Sequence, residues 1–231
     1  KSTTDIDETR ILIGSPLIYP TECDRMIDRS HVKNVHIDMD FIPECPGTSG
    51  DFNPKIPCNY SILNLEHPER LVMNKVDFGG HWEPTDCIPR MDSWTLIVVA
   101  MRENRKEQLS VFLTRMHPFL QQQRIKYTIL VVYQSDNLLF NRAALFNVGY
   151  LTSRHLDYDC YIFTDVDMIP QSYANRYTCD RVRPKHLSSA PSNWDYKLPY
   201  SENFGGVTAF TKRQFEAVNG FSNMYWGWGG E

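Results

Sequence analysis

No run of apolar residues in the 231-residue chain approaches the roughly 20 needed to cross a bilayer, which excludes a membrane-spanning helix within it. Lysine and arginine never form a block and the net charge is -4, so nothing electrostatic favours a nucleic-acid partner. There is no C-x-x-C spacing and no cysteine–histidine cluster, which argues against structural zinc. G-x-G-x-x-G is missing from both strand-to-helix junctions identified below, which disfavours a nucleotide-binding dehydrogenase. The chain begins at Lys1 with neither an initiator methionine nor a signal-peptide pattern, and a piece of something longer is expected.

What is present suits a globular fold. Apolar residues make up 42% and aromatics 13%, ample for a core, and the length allows one large domain or a catalytic domain with a smaller attachment. The six cysteines (Cys23, Cys45, Cys58, Cys87, Cys160 and Cys179) are even in number, as disulfides require. The sequon Asn59-Tyr60-Ser61 makes Asn59 a candidate glycosylation site, and the two features together favour the secretory pathway.

Residues 1–92 are rich in proline and aspartate without sustained periodicity, and are expected to be a loop-rich, disulfide-stapled segment wrapped on a main domain of residues 93–231. Within it, 79–84 reads as a turn and His81 as a surface or satisfied histidine. From Trp94 the texture changes. Leu96-Ile97-Val98-Val99-Ala100 suits a strand covered on both faces, and Leu109, Phe112, Leu113 and Met116 give one apolar face to a helix starting near Asn104. Arg102 and Arg105 lie at the junction, either as a phosphate cradle or as a solvated polar turn. A second strand, 128–133, is followed by Phe140-Asn141-Arg142 opening a helix with Leu145 and Val148 on its apolar side. Strand, helix, strand, helix, strand predicts an α/β fold with a sheet at least partly parallel.

The third strand, Tyr161-Ile162-Phe163-Thr164-Asp165-Val166-Asp167, ends in two carboxylates one residue apart, which strand alternation sends to the same side. Such a pair is costly to bury unless something positive sits between them, and a hard metal carrying a diphosphate would serve. A merely polar strand end is the competing interpretation. Position favours the first, because open α/β sheets bind ligands at the carboxyl ends of their strands. The polar stretch 171–201 is long enough to be functional. Beyond Gly205-Gly206 come a short strand at 207–210, a capping box at Thr211-Lys212-Arg213-Gln214, an apolar face from Phe215 and Val218, and Gly220 at the helix end. Tyr225-Trp226-Gly227-Trp228-Gly229-Gly230-Glu231 combines stacking surfaces with a mobile backbone, as a lid over a sugar ring needs.

Phe140-Asn141-Arg142-Ala143, Asp165-Val166-Asp167, Phe204-Gly205-Gly206-Val207 and Trp226-Gly227-Trp228-Gly229-Gly230-Glu231, in this order and spacing, resemble the β-1,4-galactosyltransferase family, including its invertebrate-type galactosyl/N-acetylgalactosaminyltransferases. The resemblance implies a GT-A-like nucleotide-sugar-binding domain with a mixed, mostly parallel sheet, and a Golgi-lumenal enzyme held by an N-terminal anchor outside this chain. It implies inverting transfer of galactose or N-acetylgalactosamine from the UDP-sugar to the 4-hydroxyl of terminal N-acetylglucosamine, with manganese (Mn2+). By the same resemblance Arg105, Phe140 and Arg142 contact uridine diphosphate, with Arg102 reaching the phosphates from a shifted position or not at all; Asp165 and Val166 lie beside the nucleotide, and Asp167 is the first metal ligand. Tyr200, Asn203, Gly205, Gly206, Trp228 and Gly230 belong to the sugar-binding pocket, with Trp228 on the closing loop; within this chain Trp228 and Glu231 are the catalytic candidates, Glu231 as base only should the chain turn over donor by itself. Cys160–Cys179 matches one disulfide and Cys87 one end of a second, with Cys45 the best-spaced partner.

This chain departs from the family pattern in four places. Glu103 replaces an arginine of P-F-R-N-R, Asn193 replaces a lysine before Trp194, and Asn203 replaces a pocket tyrosine. The chain also ends at Glu231, ahead of the aspartate expected as base and of the distal methionine and histidine of the metal site. Because charges are lost, the alternative is a non-catalytic glycan-binding or interaction protein on the same fold, which the residues following Glu231 would separate from the enzyme.

Overall fold

The computed structural model describes residues 10–13, 76–77, 80–85, 87, 94–227 and 229. Among them seven strands form one sheet: β1 (Arg10–Ile13), β2 (His81–Trp82), β3 (Thr95–Arg102), β4 (Tyr127–Gln134), β5 (Cys160–Asp165), β6 (Lys185–His186) and β7 (Val207–Thr211). Three α-helices accompany them: α1 (Lys106–Gln122), α2 (Arg142–Ser153) and α3 (Lys212–Ala217). The sheet runs β1-β4-β3-β5-β7-β6, with β2 also on β4. The long central strands β4, β3 and β5 are parallel, as the βαβ rhythm predicts, and the four short outer strands are antiparallel, so the sheet is mixed.

Alternation along the central strands divides the core in two. Ile97, Val99 and Met101 of β3, with Ile129 and Val131 of β4 and Ile162 of β5, face α1 through Phe112, Met116, Phe119 and Leu120. Leu96, Val98 and Ala100, with Leu130, Val132, Tyr161 and Phe163, face α2 and α3 through Leu145, Phe146, Tyr150 and Phe215. Both faces of β3 are therefore covered, which is why its sequence is an unbroken apolar run. The connection β3-α1-β4 crosses one face and β4-α2-β5 the other, so chain direction reverses around β3. Such a reversal opens a crevice at the carboxyl ends of the strands.

α2 lies close on the sheet, and a Cβ added at Gly149 would come within 2.4 Å of Val98 Cγ1 and 3.1 Å of Val132 Cγ2. α1 starts at Lys106 rather than near Asn104, because Glu103–Arg105 first make a tight 3-10 turn. The capping box on α3 is complete, with both the Thr211 hydroxyl and the Gln214 side chain in place. α3 ends in the pattern of a Schellman motif: Gly220 N donates to Phe215 O and Asn219 N to Glu216 O. Asn219 (φ 58°) takes the first left-handed position and Gly220 (φ 72°) the second. Val218, expected on the apolar face, is instead 56% exposed, because it falls past the last helical residue where the chain turns away from the sheet.

The N-terminal segment contributes more than loops. β1 pairs with residues 130–133 of β4 and β2 with residues 127–128, so both lie on the outer edge of β4 and satisfy backbone groups that an open edge would expose. The turn expected at 79–84 is found at its start, where Gly80 N bonds Asp77 O, but His81 and Trp82 are strand. His81 is satisfied, with Nδ1 3.2 Å from Thr128 Oγ1. No helix among the described residues is long and apolar enough to cross a membrane.

Candidate active site

A cleft of about 710 Å³ opens at the carboxyl ends of β3, β4 and β5. One wall begins where β3 stops. Arg102 Nη2 donates to Leu138 O at 2.7 Å, and its guanidinium lies 5.9 Å from the centre of the Phe140 ring. One turn on, Arg105 Nη1 lies 3.5 Å from Asp167 Oδ2, both side chains being about half exposed.

Gln134 at the end of β4 folds the following loop. Its Nε2 donates to Asp136 Oδ1 and Leu139 O, and its Oε1 accepts from Asn141 N. Asn141 then caps α2, its Oδ1 accepting from Ala144 N at 2.9 Å. The cap fixes Phe140 and Arg142 on either side of it at the cleft. Arg142 Nε donates to Asp165 Oδ1 at 2.5 Å and Nη2 to Gly206 O at 3.0 Å, while its guanidinium stacks 4.6 Å above the Phe146 ring.

The two carboxylates do not reach the cleft by strand alternation. β5 ends at Asp165, Val166 is buried, and Met168 N bonds back to Asp165 O, so Asp167 sits in a turn. The physical reason is loss of partners: pairing with β7 ends at Thr164↔Val207 and pairing with β3 at Ala100↔Asp165. Asp165 and Asp167 still line one cleft, and the positive groups beside them are Arg142 and Arg105.

The opposite wall is loop. Cys160–Cys179 is bridged with Cα atoms 5.5 Å apart, which ties the start of this loop to β5. Pro191, Asn193, Trp194, Pro199, Tyr200, Asn203, Gly205 and Gly206 follow along the cleft. Trp194 and Tyr200 are about half exposed, and Asp195 (φ 50°) and Tyr196 (φ 59°) adopt successive left-handed conformations between them. Asn203 Oδ1 lies 3.4 Å from Gly205 N.

The segment entering the expected lid is fixed to α2. Asn147 bonds both N and O of Phe221, Asn141 Nδ2 donates to Asn223 O, and Gly227 N donates to Phe140 O at 2.7 Å. Tyr225, Gly227 and Gly229 complete the rim.

The structure thus brings Arg102, Arg105, Phe140, Arg142, Asp165, Val166, Asp167, Tyr200, Asn203, Gly205 and Gly206 to one cleft. Trp228, Gly230, Glu231, Asn59 and Cys45 lie outside the described residues; Cys87 is disulfide-bonded. Tyr225 belongs to the stretch read as a lid, whereas sequence reasoning did not single out Met168, Ser188, Pro191 and Pro199 as lining residues. None of these four carried a signal of its own beyond lying beside the acidic pair or in the long polar stretch 171–201.

For a divalent cation, Asp167 offers a hard oxygen on a half-exposed carboxylate facing the cleft. Among the described residues no group of three or more His, Cys, Asp or Glu surrounds it, so further ligands would come from a diphosphate or from other parts of the protein.

A family model described as the N-terminal region of glycosyl transferase group 7 matches residues 45–180, and one described as the N-terminal domain of galactosyltransferase matches residues 185–231. A β-1,4-galactosyltransferase 5 from Homo sapiens is 37% identical over 222 residues, covering 91% of this chain and 56% of the relative. A β-1,4-galactosyltransferase 1 from Bos taurus is 41% identical over 182 residues, 78% of this chain and 42% of the relative. The chain spans about half the length of the curated relatives it matches. Among solved structures, a mutant Drosophila β-1,4-galactosyltransferase 7 in complex with manganese, UDP-Gal and xylobiose aligns with a TM-score of 0.53 at 32% identity, covering 58% of this chain and 56% of that one.

Proposed function

The chain belongs to the glycosyl transferase group 7 galactosyltransferases, and from that premise we propose that it acts in an inverting, UDP-sugar-dependent β-1,4-glycosyltransferase whose acceptor is terminal N-acetylglucosamine. The observation that carries the proposal is the meeting of Arg102, Arg105 and Arg142 with Asp165 and Asp167 at the strand ends of a single cleft.

In this reading the arginines hold the diphosphate, whose charge they complement bidentately. Phe140 offers a face for the nucleotide, and Asp165, fixed by Arg142, lies beside it. Asp167 would hold manganese, which when bound offsets charge on the departing UDP. Tyr200 and Trp228 would enclose the acceptor sugar and exclude water that competes with its 4-hydroxyl. The acceptor oxygen forms its bond to the anomeric carbon as the glycosyl–phosphate bond breaks on the opposite face, and its proton passes to a carboxylate, for which Glu231 is the candidate in this chain. A lumenal Golgi location agrees with the Cys160–Cys179 bridge, since disulfides persist in oxidising compartments.

The donor sugar is assigned through Asn203. Asparagine is smaller than the pocket tyrosine of galactose-specific relatives and leaves space for a 2-acetamido group. We expect the full-length enzyme to use UDP-N-acetylgalactosamine at least as well as UDP-galactose with an N-acetylglucosamine acceptor. Parallel kinetics with both donors on the wild type and Asn203→Tyr test this. The substitution should shift the ratio about tenfold toward galactose, as one shape and hydrogen-bond change typically does. No transfer from either donor would overturn the enzyme reading, whereas a ratio unmoved by Asn203→Tyr would overturn only the donor assignment.

A further inference from the structure

We propose that His186 and Ser188 are positioning residues that aim the Gly206 carbonyl at Arg142 and Asp165, and so set the diphosphate wall from across the cleft. The inference rests on the donor-site reading above and deepens it. β6 pairs antiparallel with β7, His186 opposite Thr208, and Leu187 N donates to Val207 O to extend the pairing by one residue. Along an extended chain residues 186 and 188 point the same way. Here both reach the turn that precedes β7.

Gly205 O lies 2.8 Å from His186 Nε2 and 2.8 Å from Ser188 Oγ. The serine hydroxyl also accepts from Val207 N at 2.8 Å. A carbonyl oxygen only accepts, so the Nε2 that faces it carries the imidazole proton; Ser188 Oγ, 3.1 Å from that Nε2 and accepting from Val207 N, meets two donors and turns its own proton to Gly205 O. Burial holds the imidazole below its usual pKa, with the Gly205 bond acting the other way, which keeps the ring neutral near pH 7. The residues on both sides of Gly206 are therefore pinned.

Gly206 itself is left-handed at φ +72°, and a Cβ there would stand 2.6 Å from Ser188 Oγ. Turned this way, its carbonyl accepts from Arg142 Nη2 at 3.0 Å and from Asp165 N at 3.3 Å. Arg142 in turn donates to Asp165 Oδ1. Two sets of hydrogen bonds, one on Gly205 O and Val207 N and one on Gly206 O, are thus joined through the backbone of the turn and link an imidazole outside the cleft to the guanidinium and carboxylate inside it. His186 does not line the cleft; its ring packs against Phe204 at 5.2 Å. Any effect of His186 on donor binding must pass through the turn.

The test is UDP affinity, measured by calorimetry with manganese on the full-length protein, alongside donor and acceptor kinetics. His186→Phe keeps a ring against Phe204 and removes the Nε2–H that bonds Gly205 O and lies 3.1 Å from Ser188 Oγ. It should weaken UDP binding and raise donor KM about three- to tenfold, the worth of one hydrogen bond, with acceptor KM unchanged. Ser188→Ala, which breaks the bonds to Gly205 O and Val207 N and the contact with His186 Nε2, should do more, and Ser188→Thr, which keeps the hydroxyl, should recover most of the loss. Should Ser188→Ala fail to fold, His186→Phe alone decides. A lowered Tm with UDP affinity and donor KM within about twofold of wild type would overturn the inference and leave a purely structural role. Absence of UDP binding in the wild type would overturn the donor-site reading, and this inference with it.

Discussion

The wall of the cleft that carries the charges stands on buried sheet, whereas the wall that carries the aromatics stands on side-chain hydrogen bonds. On the first, Ala100, Met101 and Val166 are at most 5% exposed, and the arginines spring from the end of β3, the 3-10 turn after it and the capped start of α2, which packs on one core cluster. On the second, Trp194, Tyr200 and Tyr225 are about half exposed, and the backbone is held by Ser188, Asn203, Asn141 and Asn147. A diphosphate is recognised by charges at fixed separations, and close packing fixes them best. A wall that must open for one sugar and close over another is better held by a few bonds that can be exchanged with water. The contrast makes chemistry and stability separable, and four experiments probe the separation.

The largest effect should come from Asp167→Ala. The carboxylate is half exposed and sits in a turn after β5, so its removal should leave stability within about 0.5 kcal/mol of wild type. Transfer by the full-length enzyme should fall by about 100-fold or more, because alanine offers no oxygen to a hard cation. Full activity with unchanged manganese dependence would remove Asp167 from the metal site.

Acid should undermine the buried wall through His117. The imidazole, on the buried side of α1, has Nδ1 2.7 Å from Tyr127 Oη, and burial lowers its pKa to about 4. Between that value and the usual 6.5 the unfolded chain binds the proton that the folded chain refuses, so this contribution is complete above pH 6.5 and is lost as pH falls toward 4. The loss should be on the order of 2–3 kcal/mol, read as the difference in urea-midpoint pH dependence between wild type and His117→Leu. Identical slopes for the two proteins would mean the group does not titrate as described.

Gly149→Ala tests the same wall by overpacking. In an open helix the change would stabilise by up to about 1 kcal/mol. Here the new methyl would meet Val98 Cγ1 at 2.4 Å on a buried strand, so the clash should win and destabilise by about 1–3 kcal/mol. An unchanged or raised denaturation midpoint would show that α2 can shift away from β3 without cost.

The same contrast explains what was legible in the sequence. Continuous apolar runs and 3.6-residue periodicity mark β3, α1, β4, α2 and β5 because hydrophobic burial writes itself into residue type, and the charged wall follows from where those elements stop. β1 and β2, at 4 and 2 residues, are too short to show such a pattern, and their backbone pairing to β4 is one that any residue can make. The alternation argument for Asp165 and Asp167 failed because strand length is set by neighbours: β5 stops once its ladder with β7 ends at Thr164↔Val207 and its ladder with β3 at Ala100↔Asp165, which residues 160–167 do not record. On the other wall the sequence showed a long polar loop. Its decisive contacts join residues 17 or more positions apart, such as Ser188 with Gly205 and Asn147 with Phe221.

Asn147→Ala should have the smallest effect and separate the walls most sharply. The side chain donates to Phe221 O at 2.8 Å and accepts from Phe221 N at 3.0 Å, gripping one residue from both sides. Each bond is worth about 1 kcal/mol net. The Phe221 ring, however, keeps its contacts with Phe163 at 5.1 Å and Phe146 at 5.5 Å, so the segment should remain docked most of the time. The expected outcome is a roughly tenfold faster hydrogen exchange at residues 221–227, including the Gly227 amide bonded to Phe140 O, because about 1.4 kcal/mol of local opening energy is lost. Amides of β3, β4 and β5 exchange only when the sheet opens and should keep wild-type rates. If those sheet amides accelerate in step with residues 221–227, the two walls open together, and the lid segment must then be counted as part of the buried core.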